Sequence, residues 1–195
     1  MGYEVSQKVL LVASGFSSRL ITEYNYIDNG WTIIVINHGW MATDDWKYWV
    51  RSSDFKGNRP TIKPDQIEIS NYSNSLGAFG GHGQCGFSIT LCAAYWSLQN
   101  LKPNVVGFLG ADMNYTPNKD GHTHIYGKGL DIIKNGIPDP DRMVNKHSKD
   151  DPNYLKNIYN RFAEKASERG CSVYNFSNDP NTRLPYPKKQ PISFE

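Results

Sequence analysis

The side chains of this chain best suited to chemistry stand at the ends of its apolar runs. Ser14 and Gly15 follow Lys8-Val9-Leu10-Leu11-Val12-Ala13, and Asn37 and His38 follow Trp31-Thr32-Ile33-Ile34-Val35-Ile36. Ser53 and Asp54 close a run that begins at Trp46, Gly86 and Ser88 open a long stretch of small and apolar residues, and Asp112 and Tyr115 follow Val105-Val106-Gly107-Phe108-Leu109-Gly110. Glycine lets a backbone approach a phosphate, and Asn or Asp hydrogen-bonds ribose or base edges, so the set suits a nucleotide. Each residue alone is ordinary turn material. Their recurrence at strand after strand points to a ligand, because in open parallel sheets the ligand lies across the carboxyl ends of the strands. Ser14, Gly15, Asn37, Ser53, Gly86, Ser88 and Asp112 are therefore the candidate nucleotide-binding residues.

Two common nucleotide fingerprints are missing. Ser14-Gly15-Phe16-Ser17-Ser18 is not GxGxxG, and GxxxxGK[ST] occurs nowhere, which argues against hydride transfer and P-loop phosphoryl transfer. His122 and His124 form an HxH pair that would ligate zinc only with a third ligand from elsewhere, and no cysteine or acidic pattern accompanies it. No metal site is expected. His147 stands just before Asp150 and Asp151, which would orient an imidazole as a base; a surface histidine is the alternative.

The elements that must position these groups follow from periodicity. The runs from Lys8, Trp31 and Asn104 are short, β-branched and closed by turn residues, as buried parallel strands are. Residues 46–51 and 66–70 predict shorter strands, and residues 171–176 a last one. Ser17 and Ser18 offer N-caps to a short helix after the first strand. Residues 77–86 hold too much glycine for regular structure, whereas residues 87–101 predict a helix buried on nearly every side and stopped by Pro103. Pro152 opens a final helix with an apolar stripe of Leu155, Ile158, Phe162 and Ala166. Strands alternating with helices predict a mostly parallel sheet with helices on both faces. Residues 116–146, rich in Gly, Pro, Asn and Asp, are too long for an idle connection and predict a mobile loop covering the substrate.

Composition narrows the class. At 195 residues with 38% hydrophobic content the chain builds one sizeable core, so a single catalytic domain over residues 1–195 is expected. The 21 basic and 19 acidic residues nearly cancel, giving no general pull toward nucleic acid or membrane. Cys85, Cys92 and Cys171 are odd in number and lack metal-ligand spacing, which suits a reducing compartment. No apolar run near the N-terminus is long enough to span a bilayer, and a cytoplasmic location is the expectation.

The order of these motifs resembles the bacterial sialyltransferases of glycosyltransferase family 42 and related small phage-type glycosyltransferase-like proteins. Ser14-Gly15-Phe16-Ser17-Ser18-Arg19-Leu20 is similar to the Gly-Pro-Ser-Leu turn after the family's first strand, with Phe16 in the proline position. Asn37 matches an asparagine ending the second strand, Cys85-Gly86-Phe87-Ser88 a Ser-Gly turn before a small-residue helix, and Gly110-Ala111-Asp112 a Gly-x-Asp strand end. His147-Ser148 before an amphipathic helix, then Tyr174-Asn175 and Ser177, complete the order. The resemblance implies a Rossmann-like α/β fold of GT-A-like type. It also implies metal-independent transfer from a nucleotide sugar to a glycan or other hydroxyl acceptor, with His147 as general base and Tyr115 and Tyr126 bonding the leaving phosphate. No cofactor beyond the donor is implied. The chain departs from the family at Phe16, at Cys85, in its shorter length and in the enlarged loop over residues 116–146.

Three alternatives remain on the residues themselves. One is a magnesium-dependent, pterin pyrophosphokinase-like transferase, since related folds share the turn and the Asp-ended strand. Another is a binding module that holds a nucleotide without turnover. The third is glycosylation of modified DNA bases, suggested by Arg51, Lys56, Arg59 and Lys63 interleaved with Trp46, Tyr48, Trp49 and Phe55, a pattern that a solvated face beside core aromatics also produces.

Overall fold

The computed structural model describes residues 7–86, 88–127 and 154–194. Six strands make one sheet: β1 (Lys8–Val12), β2 (Trp31–Ile36), β3 (Tyr48–Val50), β4 (Ile67–Ile69), β5 (Val105–Leu109) and β6 (Ser172–Asn175). Their order is β4-β3-β2-β1-β5-β6, and every pairing is parallel. With α1 (Tyr72–Leu76), α2 (Ile89–Asn100) and α3 (Tyr154–Ser167), this is a Rossmann-like α/β fold.

Side chains alternate strictly across the sheet, as the two-residue strand period demands. Val9, Leu11, Ile34, Ile36, Val106 and Phe108 enter one core, while Leu10, Val12, Ile33, Val35 and Leu109 enter the other. Burial on both faces explains why these strands read as unbroken apolar runs. The first core is roofed by α2, buried at every position from Leu91 to Leu98, and by Ile158, Phe162 and Ala166 of α3. The second face differs from expectation. Among the described residues its cover is made of 3₁₀ helices at Phe16–Glu23, Asn37–Ala42 and Pro191–Phe194, with no α-helix.

The division of covers has a topological reason. From β1 the chain steps outward through β2 and β3 to β4, then returns across β1 to β5 and on to β6. Right-handed crossovers running in opposite directions place their connections on opposite faces. The steps away from β1 therefore share the 3₁₀ face, and α2 and α3 share the other. The direction reverses between β1 and β5, which makes that junction the topological switch point.

Local corrections have similar causes. The 3₁₀ helix after β1 has Gly15 as its N-cap, which carries no side chain, and Ser17, expected as a cap, lies inside the helix with its hydroxyl bonded to Asp112. The glycine-rich residues 77–86 are not wholly irregular: α1 runs into 3₁₀ turns at Gly77–Phe79 and His82–Gln84. Strands β3 and β4 are shorter than the sequence predicts. Trp46, Tyr48 and Trp49 are buried, so the aromatics beside the basic cluster belong to the core.

Candidate functional site

The switch point sets the turn after β1 against the turn after β5. Pairing continues past the strands, with Ala13 N donating to Leu109 O at 2.9 Å and Gly15 N to Gly110 O at 2.8 Å. Ser17 Oγ donates to Asp112 Oδ1 at 2.5 Å and accepts from Gly110 N at 2.9 Å, while Ser17 N donates to Asp112 Oδ2 at 3.2 Å. Asp112 is buried. A side chain at position 15 would lie 2.6 Å from both Asp112 Oδ2 and Gly110 O, so close approach is what requires glycine there. Ser14, Gly15 and Asp112 are thus brought together as the sequence predicts, in a polar knot tied by Ser17. The amides of Gly15, Ser17 and Ser18 all donate within the fold and are not available to an anion beside them.

The neighbouring strand ends are joined in the same way. Asn37 adopts φ 50°, a region that asparagine tolerates better than most residues. Its Oδ1 accepts from Ser52 N at 3.1 Å and its carbonyl from Trp49 Nε1 at 2.9 Å, which clips β2 to β3. Ser53 is exposed and lines a crevice of about 240 Å³ with Arg51, Glu68, Ser70 and Tyr72, where Arg51 and Glu68 pair at 2.8 Å. Gly86 takes a left-handed turn, and Ser88 caps α2, its Oγ accepting from Leu91 N at 3.4 Å and contacting Tyr159 OH at 3.3 Å. Because α2 leads directly into β5, its N-terminus lies toward the carboxyl edge of the parallel sheet.

Residues 118–127 fold over this edge, held by Ile125 N donating to Ser14 O at 3.0 Å and by His124 N donating to Gly127 O at 3.1 Å. A row of rings results. Tyr115 and His124 have centroids 5.5 Å apart, His124 and Tyr126 stack at 4.9 Å and 19°, Tyr126 and His38 lie at 4.1 Å, and His38 and Phe55 at 4.7 Å. His38 and His124 are buried, whereas both tyrosines are half-buried. Thr123 Oγ1 lies 2.9 Å from His124 Nδ1 and anchors that imidazole. A Cβ on Gly57 would collide with the His38 ring, so the loop after β3 is pressed directly onto it. The row therefore joins the loops after β2, β3 and β5 above the switch point.

Comparison with protein-family models, with curated proteins and with solved structures finds no match for this chain.

The structure unites Tyr115 with Tyr126, on either side of His124, and sets Ile125, between His124 and Tyr126, against Ser14. Ser53 stands farther along the edge, in the β3–β4 crevice. His147 and residues 128–146 of the loop expected to cover the substrate lie outside the described residues. Three residues of this edge stand outside the nucleotide-binding set: Ser17, expected as a helix cap, His38, noted after β2 without a role, and His124, read only as half of an HxH pair. His124 and Tyr126 are set face to face by the tight turn through Ile125 and Tyr126, closed by the reciprocal His124–Gly127 hydrogen bonds, and no side-chain period in the sequence announces it. His122, the other half of the HxH pair, is exposed. No group of three His, Cys, Asp or Glu side chains converges among the described residues, and no described helix is long and apolar enough to cross a membrane.

Proposed function

We propose that this chain transfers a sugar from a nucleotide-activated donor to an acceptor hydroxyl. The nucleotide lies across the strand ends from the switch point toward β3. The observation that carries the proposal is the convergence of Tyr115 and Tyr126 on His124 at this edge. Departure of a nucleotide leaves charge on its phosphate, and prepositioned donors aimed at that charge are the usual largest source of acceleration. With the amides of Gly15, Ser17 and Ser18 already used within the fold, tyrosine hydroxyls are donors suited to the task. His147 takes the acceptor proton as general base. This scheme asks for no metal.

The test begins with thermal stabilisation by CMP-, UDP- and GDP-linked sugars, which reports donor binding without knowledge of the acceptor. Tyr115→Phe and Tyr126→Phe should each then lower turnover about 10²- to 10³-fold, the usual loss of one such donor, with donor affinity little changed. Absence of stabilisation by every donor overturns the proposal. Activity that requires a divalent ion and releases AMP would instead assign the chain to a pyrophosphokinase-like reaction.

A further inference from the structure

Cys85 and Cys92 meet behind the glycine-rich turn, away from the ring row. The Cys92 S–H donates to Cys85 Sγ with the sulfurs 3.0 Å apart, and the Cys85 S–H donates to His82 O at 3.2 Å. A disulfide needs about 2.05 Å, so the sulfurs stand only about 1 Å from bonding distance. Both thiols are buried. The backbone sets this juxtaposition: Cys85 ends the 3₁₀ turn at His82–Gln84, Ser88 N donates to Cys85 O at 2.7 Å, and Cys92 N donates to Ser88 O at 3.0 Å. Cys92 sits on the rigid first part of α2. Cys85 sits on a turn whose Gly80, His82 and Gly83 are exposed and which holds few apolar anchors, the kind of segment that opens locally.

We propose that Cys85 and Cys92 form a reversible redox modification site, closing to an intramolecular disulfide in response to a hydroperoxide. Cys85, on the segment that opens, attacks as thiolate the terminal peroxide oxygen; the O–O bond breaks, an alcohol or water departs, and Cys85 becomes a sulfenic acid. Cys92 then attacks the Cys85 sulfur, the S–S bond forms, and hydroxide leaves and takes the Cys92 proton as water. Two thiols have lost two electrons and two protons, and the hydroperoxide has gained them. Reduction by a dithiol restores the pair. Cys171 takes no part, since it is buried between the end of α3 and the start of β6, toward the opposite edge of the sheet from the N-terminus of α2, with its thiol hydrogen directed to the Ser172 carbonyl. The crosslink would pin the glycine-rich turn to the start of α2, beside Gly86 and Ser88, and its detection does not depend on the reaction proposed above.

The experiment uses the full chain, reduced with dithiothreitol, freed of reductant and treated with hydrogen peroxide. Intact mass should fall by about 2 Da, the two hydrogens lost on forming one disulfide. After denaturation iodoacetamide should label Cys171 alone, and peptide mapping should join Cys85 to Cys92. Dithiothreitol should reverse all three changes. Cys92→Ser should prevent the loss and leave oxygen adducts on Cys85. Gain of oxygen by the unaltered chain without a crosslink, or crosslinks through Cys171 or between molecules, overturns the proposal.

Discussion

Replacing Ser17 with alanine tests the polar knot at the switch point. The hydroxyl both donates to Asp112 and accepts from Gly110 N, so its loss removes two interactions and strands a buried amide. A hydrogen bond to a charged group contributes about 1.5–3 kcal/mol, and a buried donor left without a partner costs about 1–3 kcal/mol. The main-chain bond from Ser17 N to Asp112 survives, so the expected total is about 3–5 kcal/mol, much of the roughly 5–15 kcal/mol that holds a typical domain. In urea, with a slope of about 2 kcal/mol/M, the unfolding midpoint should fall by about 2 M. Ser88→Ala is the control, because removing a helix cap costs only about 1 kcal/mol. A double-mutant cycle with Asp112→Asn should show strong coupling to Ser17 and little to Ser88. A Ser17→Ala variant within about 1 kcal/mol of the unaltered chain would refute the reasoning.

Two further outcomes are expected. His147→Ala should lower sugar transfer by about a hundredfold or more while leaving donor stabilisation in place, the usual size for a general base; near-normal turnover would remove that role. Burial pushes the Cys171 thiol from its ordinary value near 9 up to about 12 and the Tyr95 hydroxyl from near 10 up to about 12. The unfolded chain ionises first, so this contribution to stability is complete below about pH 9 and is lost as pH rises toward 12. Urea midpoints should accordingly decline over that window, and Cys171→Ala should reduce the decline that begins near pH 9 without abolishing it, because the Cys92 thiol is also raised, by its hydrogen bond to Cys85 and by burial.

What could be read from the residues depended on how far each interaction reaches. β1, β2 and β5 were legible because burial on both faces leaves an unbroken apolar run, and the convergence of Ser14, Gly15 and Asp112 followed from parallel pairing alone. Ser17 was misread as a cap because its partner Asp112 lies 95 residues away, and local pattern cannot show which acceptor a serine will choose. α1 was missed because Tyr72–Leu76 is too short to display helical periodicity. His38 and His124 stood apart in sequence, and only the turn over residues 118–127 brings them to opposite faces of Tyr126. The 3₁₀ cover of the second face was also hidden, since 3₁₀ segments lack the long apolar stripe that announces an α-helix.

That second cover has a consequence for synthesis. Phe194 rests against Trp31 and Phe176, and its carbonyl receives the Lys8 ammonium across 186 residues of chain. β1 and β2, at the centre of the sheet, are thus made well before the segment that completes the cover of their second apolar side. While the ribosome is still working, Trp31 and its neighbours remain open to water. Contacts this distant in sequence slow folding and prolong such exposure, so the second core should be the later of the two to gain protection from hydrogen exchange during refolding.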